Sequence, residues 1–253
     1  MYSKWRGFCG ISILSASLLM LGCGSSTPSY VRGVNASNGL SNYTIQVGLQ
    51  GVISSLPYGT EGVQPKGDKY SVNDNSGAYR PIPAGATQNV IVSTSANPKL
   101  ATGTQSFLAK SYNTVVTLAA APSIELRTLT DGDVAPASGD FKVRMVQASP
   151  TAVAVDIYLT AQGASIGGSS PLLSNFQFGQ VAAQYAQETA ATVEVQVTPA
   201  GNPAKILYTG VFTAVAGDVY TAYFLDPPMT SPSKGYGLLL VVDPTLTAST
   251  SGM

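Results

Sequence analysis

The sequence predicts an all-β protein made of two tandem β-sandwich domains that follow an N-terminal signal peptide. Three observations support this fold class. Apolar and polar residues alternate along many short segments, one segment recurs 112 residues further along the chain, and an apolar run lies close to the N-terminus. Hydrophobic residues make up 44% of the chain, which is ample for a core, whereas charged residues make up only 10%.

The first 22 residues have the pattern of a lipoprotein signal peptide. Lys4 and Arg6 precede an apolar run over 8–21, which is too short and too rich in glycine and serine to span a bilayer. The stretch Leu19-Met-Leu-Gly-Cys23 resembles the bacterial lipobox, whose cysteine thiol receives a diacylglyceryl group before cleavage. The resemblance implies lipidation at Cys23. A buried core helix is the alternative interpretation of the run.

The residues around Cys23 also predict where the protein resides. Two or three acyl chains, such as palmitate, hold a protein on a membrane almost permanently. Residues 23–29 have the composition of a flexible tether. Gly24 follows the cysteine, and its resemblance to the enterobacterial sorting pattern favours the outer membrane. We expect an exported protein that faces the periplasm or the cell surface.

A repeated segment predicts the domain boundaries. Tyr30-Val-Arg-Gly-Val-Asn-Ala-Ser37 recurs as Lys142-Val-Arg-Met-Val-Gln-Ala-Ser149, and shorter similarities follow in the same order. Turn-forming residues concentrate between the copies and indicate a linker. The predicted organisation is a first sandwich over 30–134, a linker over 135–140, a second sandwich over 141–243 and a disordered tail over 244–253. Chance similarity between β-rich segments is the alternative.

Alternating segments predict the strands. They cover 88–94, 113–118 and 124–129 in the first copy, and 192–198, 206–212, 219–225 and 237–242 in the second. Glycine, proline, asparagine and aspartate separate them. Several short strands at roughly regular spacing are typical of an immunoglobulin-like β-sandwich. No capped helical segment follows the leader.

The junction of the two copies, residues 129–158, is similar to the junction of two domains of unknown function 4397. Members of that family typically have a Val-Arg strand, a His/Asn-Ala-Ser-Pro turn and a Val-Asp strand, usually in tandem. The resemblance implies a β-sandwich and placement in the bacterial envelope, and it implies no activity. The first copy departs from the pattern, with Ser37-Asn-Gly-Leu40 at the turn and Thr44 where Asp156 stands in the second.

Composition excludes several classes of function. Outside the leader, 11 scattered basic residues face 13 acidic ones, so a nucleic-acid partner is not expected. Histidine is absent, which removes the commonest general base and metal ligand. Both cysteines, Cys9 and Cys23, belong to the leader and its end, so no disulfide is available. We expect no cofactor, no metal and no enzymatic activity.

Two motifs carry weak chemical signals. Gly163-Ala-Ser-Ile-Gly167 fits the nucleophile elbow, but no helix follows Ser165 and no histidine is present to take its proton, so a loop is favoured and an atypical serine hydrolase stays an alternative. Asn73-Asp-Asn-Ser-Gly77 offers oxygen ligands for a weak Ca²⁺ site, although a simple turn is favoured. Asp131 and Asp133 receive the same interpretation as turn residues.

Two arginines are predicted to be partly buried. Arg32 and Arg144 occupy equivalent places in the repeated segment, on the same strand face as Val34 and Val146. A buried guanidinium needs a carboxylate partner, and Asp156 on the next strand is the predicted partner of Arg144. Arg32 must be satisfied in another way.

Tyrosines supply the remaining candidates. Tyr58, Tyr70 and Tyr79 are predicted in loops, where they would form an aromatic platform for a sugar or a protein, although packing on a sheet is favoured. The leading hypothesis is a non-enzymatic, lipid-anchored module with an adhesion, structural or protein-interaction role. A glycan-binding module is the first alternative.

Overall fold

The computed structural model describes residues 27–247, except 41, 54–55, 62–78, 86, 120–122, 230–231 and 233–234. The protein is all-β, with 52% of the described residues in strands, and its several sheets are consistent with a β-sandwich. Within the described ranges, no helix has the length and apolar character needed to cross a bilayer. Cys23, Tyr70 and the Asn73–Gly77 turn lie outside the described residues.

The first half of the chain, residues 29–131, forms two sheets. Its strands are β1 (Ser29–Asn35), β2 (Thr44–Val47), β3 (Gln50–Ile53), β4 (Thr60–Glu61), β5 (Arg80–Ile82), β6 (Thr87–Ser93), β7 (Ala101–Ser106), β8 (Tyr112–Leu118) and β9 (Glu125–Asp131). One sheet has the order β4-β1-β8-β9, with β5 also paired to β1, and is called the first inner sheet. The other has the order β3-β2-β6-β7 and is called the first outer sheet.

The second half, residues 140–243, repeats this strand order. Its strands are β11 (Asp140–Gln147), β12 (Val155–Ala161), β13 (Leu173–Phe176), β14 (Ala186–Thr189), β15 (Thr192–Pro199), β16 (Tyr208–Thr213), β17 (Val219–Leu225) and β18 (Gly237–Asp243). The second inner sheet is β14-β11-β17-β18, and the second outer sheet is β13-β12-β15-β16. In both halves the first strand runs parallel to the penultimate one, β1 beside β8 and β11 beside β17.

The alternating segments identified the strands correctly. The seven predicted strands coincide with β6, β8, β9, β15, β16, β17 and β18 to within two residues at either end. Apolar residues at every second position give each of these strands one face for a core.

The first strand of each half is buried on both faces. In β11, Val143 and Met145 belong to the core between the second inner and outer sheets, whereas Val146 belongs to a different core. In β1, Val31 belongs to the core between the first inner and outer sheets, whereas Val34 belongs to the same core as Val146. The two inner sheets therefore pack against each other.

The core between the inner sheets draws equally on the two halves. Its buried members are Val34, Ala36, Val116, Leu118 and Leu129 from the first half, and Val146, Ala148, Tyr223, Leu225 and Val241 from the second. We call it the central core. Because both halves bury apolar side chains in it, they form one continuous packed unit.

A short pair of strands joins the chain segments that follow the two halves. β10 (Asp133–Val134) lies in front of the predicted linker, and β19 (Thr245–Leu246) lies in the predicted disordered tail. They pair in parallel, Asp133 opposite Thr245 and Val134 opposite Leu246. The start of the predicted tail is thus an ordered strand, because β10 supplies its hydrogen-bonding partner.

Candidate functional site

A buried ionic network lies beside the central core and connects the two halves. Arg32 on β1 donates from Nη2 to Asp243 at the end of β18. Its Nη1 donates to the carbonyl oxygen of Val242 at 2.7 Å. Arg32 and Asp243 are 0% and 3% exposed, so the pair is closed off from water. An arginine of the first half is therefore bound by the last strand of the second.

The reciprocal pair joins the second half back to the first. Arg144 on β11 donates from Nη2 to Asp131 Oδ1 at 2.9 Å and from Nη1 to the carbonyl oxygen of Thr130 at 2.8 Å. Each guanidinium also lies near the other carboxylate, with 3.8 Å from Arg32 to Asp131 and 3.6 Å from Arg144 to Asp243. The four side chains form a neutral quartet of two cations and two anions, which we call the crossed quartet.

Threonines on the parallel strands support the crossed quartet. Thr114 on β8 is the register partner of Arg32, accepts a hydrogen bond from its Nε at 2.7 Å and donates to Asp131 at 2.5 Å. Thr221 on β17 does the same for Arg144 and Asp243. The parallel pairing places each hydroxyl between a cation and an anion, so each threonine bridges the arginine and the aspartate of its own half.

Two tyrosines cover the guanidinium groups. Tyr79 donates to Asp131 at 2.9 Å and its ring centroid lies 4.7 Å from the guanidinium carbon of Arg32. Tyr185 donates to Asp243 at 2.6 Å and lies 4.7 Å from that of Arg144. Each tyrosine thus binds one anion through its hydroxyl and faces one cation with its ring.

The pKa shifts of the crossed quartet and its tyrosines combine the effect of burial with that of the neighbouring charges. Burial by itself lowers the pKa of Arg32, but the adjacent tyrosine and the two carboxylates raise it well above its ordinary value. Burial raises the pKa of Asp131, and the guanidinium of Arg32 limits that rise. Burial also raises the pKa of Tyr79 and Tyr185. The arginines stay charged and the tyrosines stay neutral, as their hydrogen bonds require.

Tyr223 breaks the correspondence between the halves. It is fully buried in the central core, and its hydroxyl has no hydrogen-bond partner among the described residues. Burial raises its pKa, with the charges of the crossed quartet acting on it as well. The equivalent position on β8 is Val116, so this hydroxyl is an addition on one side only.

The first half of the chain, with its arginine strand, matches a known protein family. A model of the family described as Domain of unknown function (DUF4397) matches residues 29–158, just over half of the chain. The chain belongs to this family. A search of curated proteins gave no match.

The DUF4397 match covers β1 to β9 and continues into β11 and β12 of the second half. It includes Arg32, Asp131 and Arg144, whereas Asp243 lies beyond it. The resemblance noted in the sequence thus named the correct family. The family description itself assigns no activity.

The predicted pair of Arg144 with Asp156 is replaced by a different one. Asp156 lies on β12 in the second outer sheet, where it accepts hydrogen bonds from the backbone N–H groups of Asn175 and Gly201, both at 2.8 Å. β11 and β12 follow one another in the chain but belong to different sheets. Arg144 points away from β12 into the space between the inner sheets, so its carboxylate partner is Asp131.

The predicted tyrosine platform also requires correction. Tyr79 is 4% exposed and belongs to the crossed quartet's surroundings, so it offers no surface for a ligand. Tyr58 is half-buried and donates to the carbonyl oxygen of Asp226 at 2.8 Å, which ties the first half to the second. Both side chains serve packing, the interpretation that the sequence favoured.

The serine of the elbow motif lies in the loop between β12 and β13. Ser165 is exposed, and its Oγ accepts a hydrogen bond from Gly167 N at 3.2 Å within the same turn. The neighbouring Ile166 is buried, which fastens the loop to the sheet surface. A nucleophile elbow needs a helix after the serine, and β13 follows here instead.

An open groove on the first outer sheet offers polar groups to solvent. It encloses about 350 Å³ and is lined by Asn89, Ile91, Lys99, Thr102, Gly103 and Thr104. Among the described residues no group of three or more acidic or cysteine side chains is placed to hold a metal ion. Its amide, hydroxyl and ammonium groups could hydrogen-bond to a hydroxyl-rich ligand.

Sequence reasoning missed both carboxylates of the crossed quartet. Asp131 was interpreted as a turn residue, and Asp243 was only the last residue of the predicted second sandwich. A signal was present, because Asp131 and Asp243 are 112 residues apart, the same spacing as Arg32 and Arg144. Applying the repeat spacing to charged residues would have selected all four.

Proposed function

We propose that this chain is a non-enzymatic lipoprotein of the cell envelope in which two immunoglobulin-like β-sandwiches in tandem act as one rigid structural or protein-interaction module. The crossed quartet carries the proposal, because Arg32 binds Asp243 and Arg144 binds Asp131 across the two halves. Side chains of the types that perform chemistry in enzymes are here buried and bonded to one another. They hold the halves together and are not presented to a substrate.

Rigidity follows from the cost of separating the halves. Hinge motion would expose the central core to water and would break the two direct ion pairs between the halves, which leaves each guanidinium only its longer contact with the carboxylate of its own half. Contacts at the opposite end add to this, since Asn38 binds the carbonyl oxygen of Pro227 at 2.8 Å. A module of this kind is suited to holding its loops in fixed positions for an adhesive or structural contact.

One experiment tests whether the halves act as a unit. The full-length protein should unfold on heating in a single cooperative transition, and Arg32→Ala should shift that whole transition to lower temperature. If the halves were independent, the substitution would move only part of the signal and a second transition would stay in place. Such a result would reject the rigid module.

A second experiment tests the anchor and the absence of activity. Cys23→Ser should move the protein from the membrane to the soluble fraction, and mass measurement of the wild-type protein should show added acyl chains. A broad screen for hydrolase activity should be negative. Turnover that Ser165→Ala abolishes would instead support the atypical serine hydrolase.

Glycan binding is the second candidate function, and the groove on the first outer sheet favours it. Amide, hydroxyl and ammonium groups of Asn89, Thr102 and Lys99 converge there. A panel of envelope polysaccharides tests it, with saturable binding that Asn89→Ala weakens as the supporting result. Ser165→Ala, in an exposed loop of the other half, is the matched control.

A further inference from the structure

We propose that one end of this molecule lies against the lipid bilayer and inserts apolar side chains into its interface. This inference rests on the proposed lipid anchor at Cys23. We call the surface the tether end, and define it by five exposed residues, Leu49, Leu108, Val134, Val215 and Leu246.

The chain enters the first half at this end. Lys110 donates its backbone N–H to the carbonyl oxygen of Pro28 at 2.9 Å, two residues after Leu108. Four residues separate Cys23 from Pro28, so their Cα atoms are at most about 18 Å apart. A lipid on Cys23 would therefore keep the neighbourhood of Leu108 within a short distance of the membrane.

The first outer sheet presents two leucines at the same end. Leu49 is at the tip of the β2–β3 hairpin, where Gly48 donates to Asn89 O at 2.8 Å near the start of β6. β6 starts opposite the last residue of β7, and Leu108 follows β7. Leu49 is 98% exposed and Leu108 is 72% exposed. A leucine at a hairpin tip is unusual, since polar residues and glycine dominate turns.

The β10–β19 pair and the loop before β17 contribute the remaining three residues. Val134 and Leu246 are opposite each other in the β10–β19 pair. Val215 lies in the loop between β16 and β17, and Gly217 in that loop accepts a hydrogen bond from the Thr245 hydroxyl at 3.4 Å. Because the crossed quartet joins the ends of β9 and β18, these segments face the same side as Leu108.

The concentration of apolar residues at one end is what points to lipid. Nine large hydrophobic residues are exposed among the described residues, and five of them form the tether end. Single exposed apolar residues need no explanation, but a cluster marks a contact surface. The exposed Lys110 lies among them and offers a cation to lipid phosphate. Val153 lies at the opposite end, in the loop between β11 and β12.

Tryptophan fluorescence tests the contact directly. The only tryptophan, Trp5, is in the predicted leader, so the processed protein would contain none. Leu49→Trp and Leu108→Trp place a reporter in the tether end, and Val153→Trp, also at an exposed site, is the matched control. Each lipidated protein, produced from the full-length chain, is reconstituted in phosphatidylethanolamine–phosphatidylglycerol vesicles that contain brominated acyl chains. We expect quenching of about twofold at the two tether-end reporters and none at Val153→Trp, because insertion reaches the acyl boundary.

The outcomes separate this inference from the proposed anchor. Unquenched reporters on protein that floats with the vesicles would overturn the membrane contact and leave the anchor in place. Equal quenching at all three positions would overturn it as well. Shielding from an aqueous quencher together with concentration-dependent cross-linking would show that a second copy covers the tether end. Failure of the full-length product to float with vesicles would refute the proposed lipoprotein itself.

Discussion

Removing Asp131 should be among the most damaging single substitutions in this protein. Asp131→Ala deletes the carboxylate that Arg144 contacts at 2.9 Å and that also accepts from Thr114 and Tyr79. The other carboxylate of the quartet is 3.6 Å from Arg144 and already binds Arg32. A buried cation left without its partner costs about 3–5 kcal/mol of the free energy of unfolding. For a chain of this size that lowers the melting temperature by about 10 °C.

The assay is thermal unfolding of the full-length protein followed by circular dichroism. Glu125→Ala is the control, because Glu125 forms a surface ion pair with Arg127 and both side chains are about 40% exposed. Such a pair contributes about 0–1 kcal/mol. The double variant Asp131→Ala with Arg144→Ala should lose less stability than the two single losses combined, because the second change removes the stranded charge. A melting temperature for Asp131→Ala equal to that of Glu125→Ala would refute the reasoning.

Three further predictions concern separate features. Gly132→Ala should lower the free energy of unfolding by about 1–3 kcal/mol more than Gly139→Ala. Both glycines have φ near +90°, but only a Cβ on Gly132 would meet a backbone atom, the carbonyl oxygen of Pro244 at 2.6 Å. Equal denaturant midpoints for the two variants would contradict this. Asp156→Ala should cost about 1–3 kcal/mol by leaving two backbone N–H groups unpaired, and an unchanged urea midpoint would show that water replaces the carboxylate. Tyr79→Phe should lower the free energy of unfolding by about 1.5–3 kcal/mol and Tyr223→Phe should leave it almost unchanged, because only the hydroxyl of Tyr79 is hydrogen-bonded. Burial raises the pKa of both tyrosines above the ordinary value of about 10, so the free energy of unfolding should stay level below pH 10 and fall above it. A loss of stability that begins near neutral pH would contradict the neutral, buried tyrosines.

Local pattern was sufficient for the strands and for the burial of the arginines. Alternation placed Arg32 and Arg144 on the faces of Val34 and Val146, and the structure buries all four. Period two identifies which side of a strand is apolar, but β1 and β11 are apolar on both sides. It does not tell which of the two faces meets the neighbouring half.

Because the pattern of one strand does not tell which of its faces meets the neighbouring half, it could not predict the partner of Arg144. The nearest aspartate on the following strand was chosen, yet β12 belongs to the opposite sheet. The actual partner of Arg32 is 211 residues away in the chain, so only the packing of the two inner sheets brings it close. Tyr79 lies outside the strands, just before β5, as predicted, but its burial also depends on that packing.

The crossed quartet has the symmetry of a dimer interface within a single chain. Each half supplies one arginine and one aspartate and receives the complementary two, which is the isologous arrangement of a twofold homodimer. Residues 132–139 link the two surfaces covalently, so their effective concentration is on the order of millimolar whatever the abundance of the protein. The assembly therefore needs no second molecule, and dilution of the protein does not dissociate it.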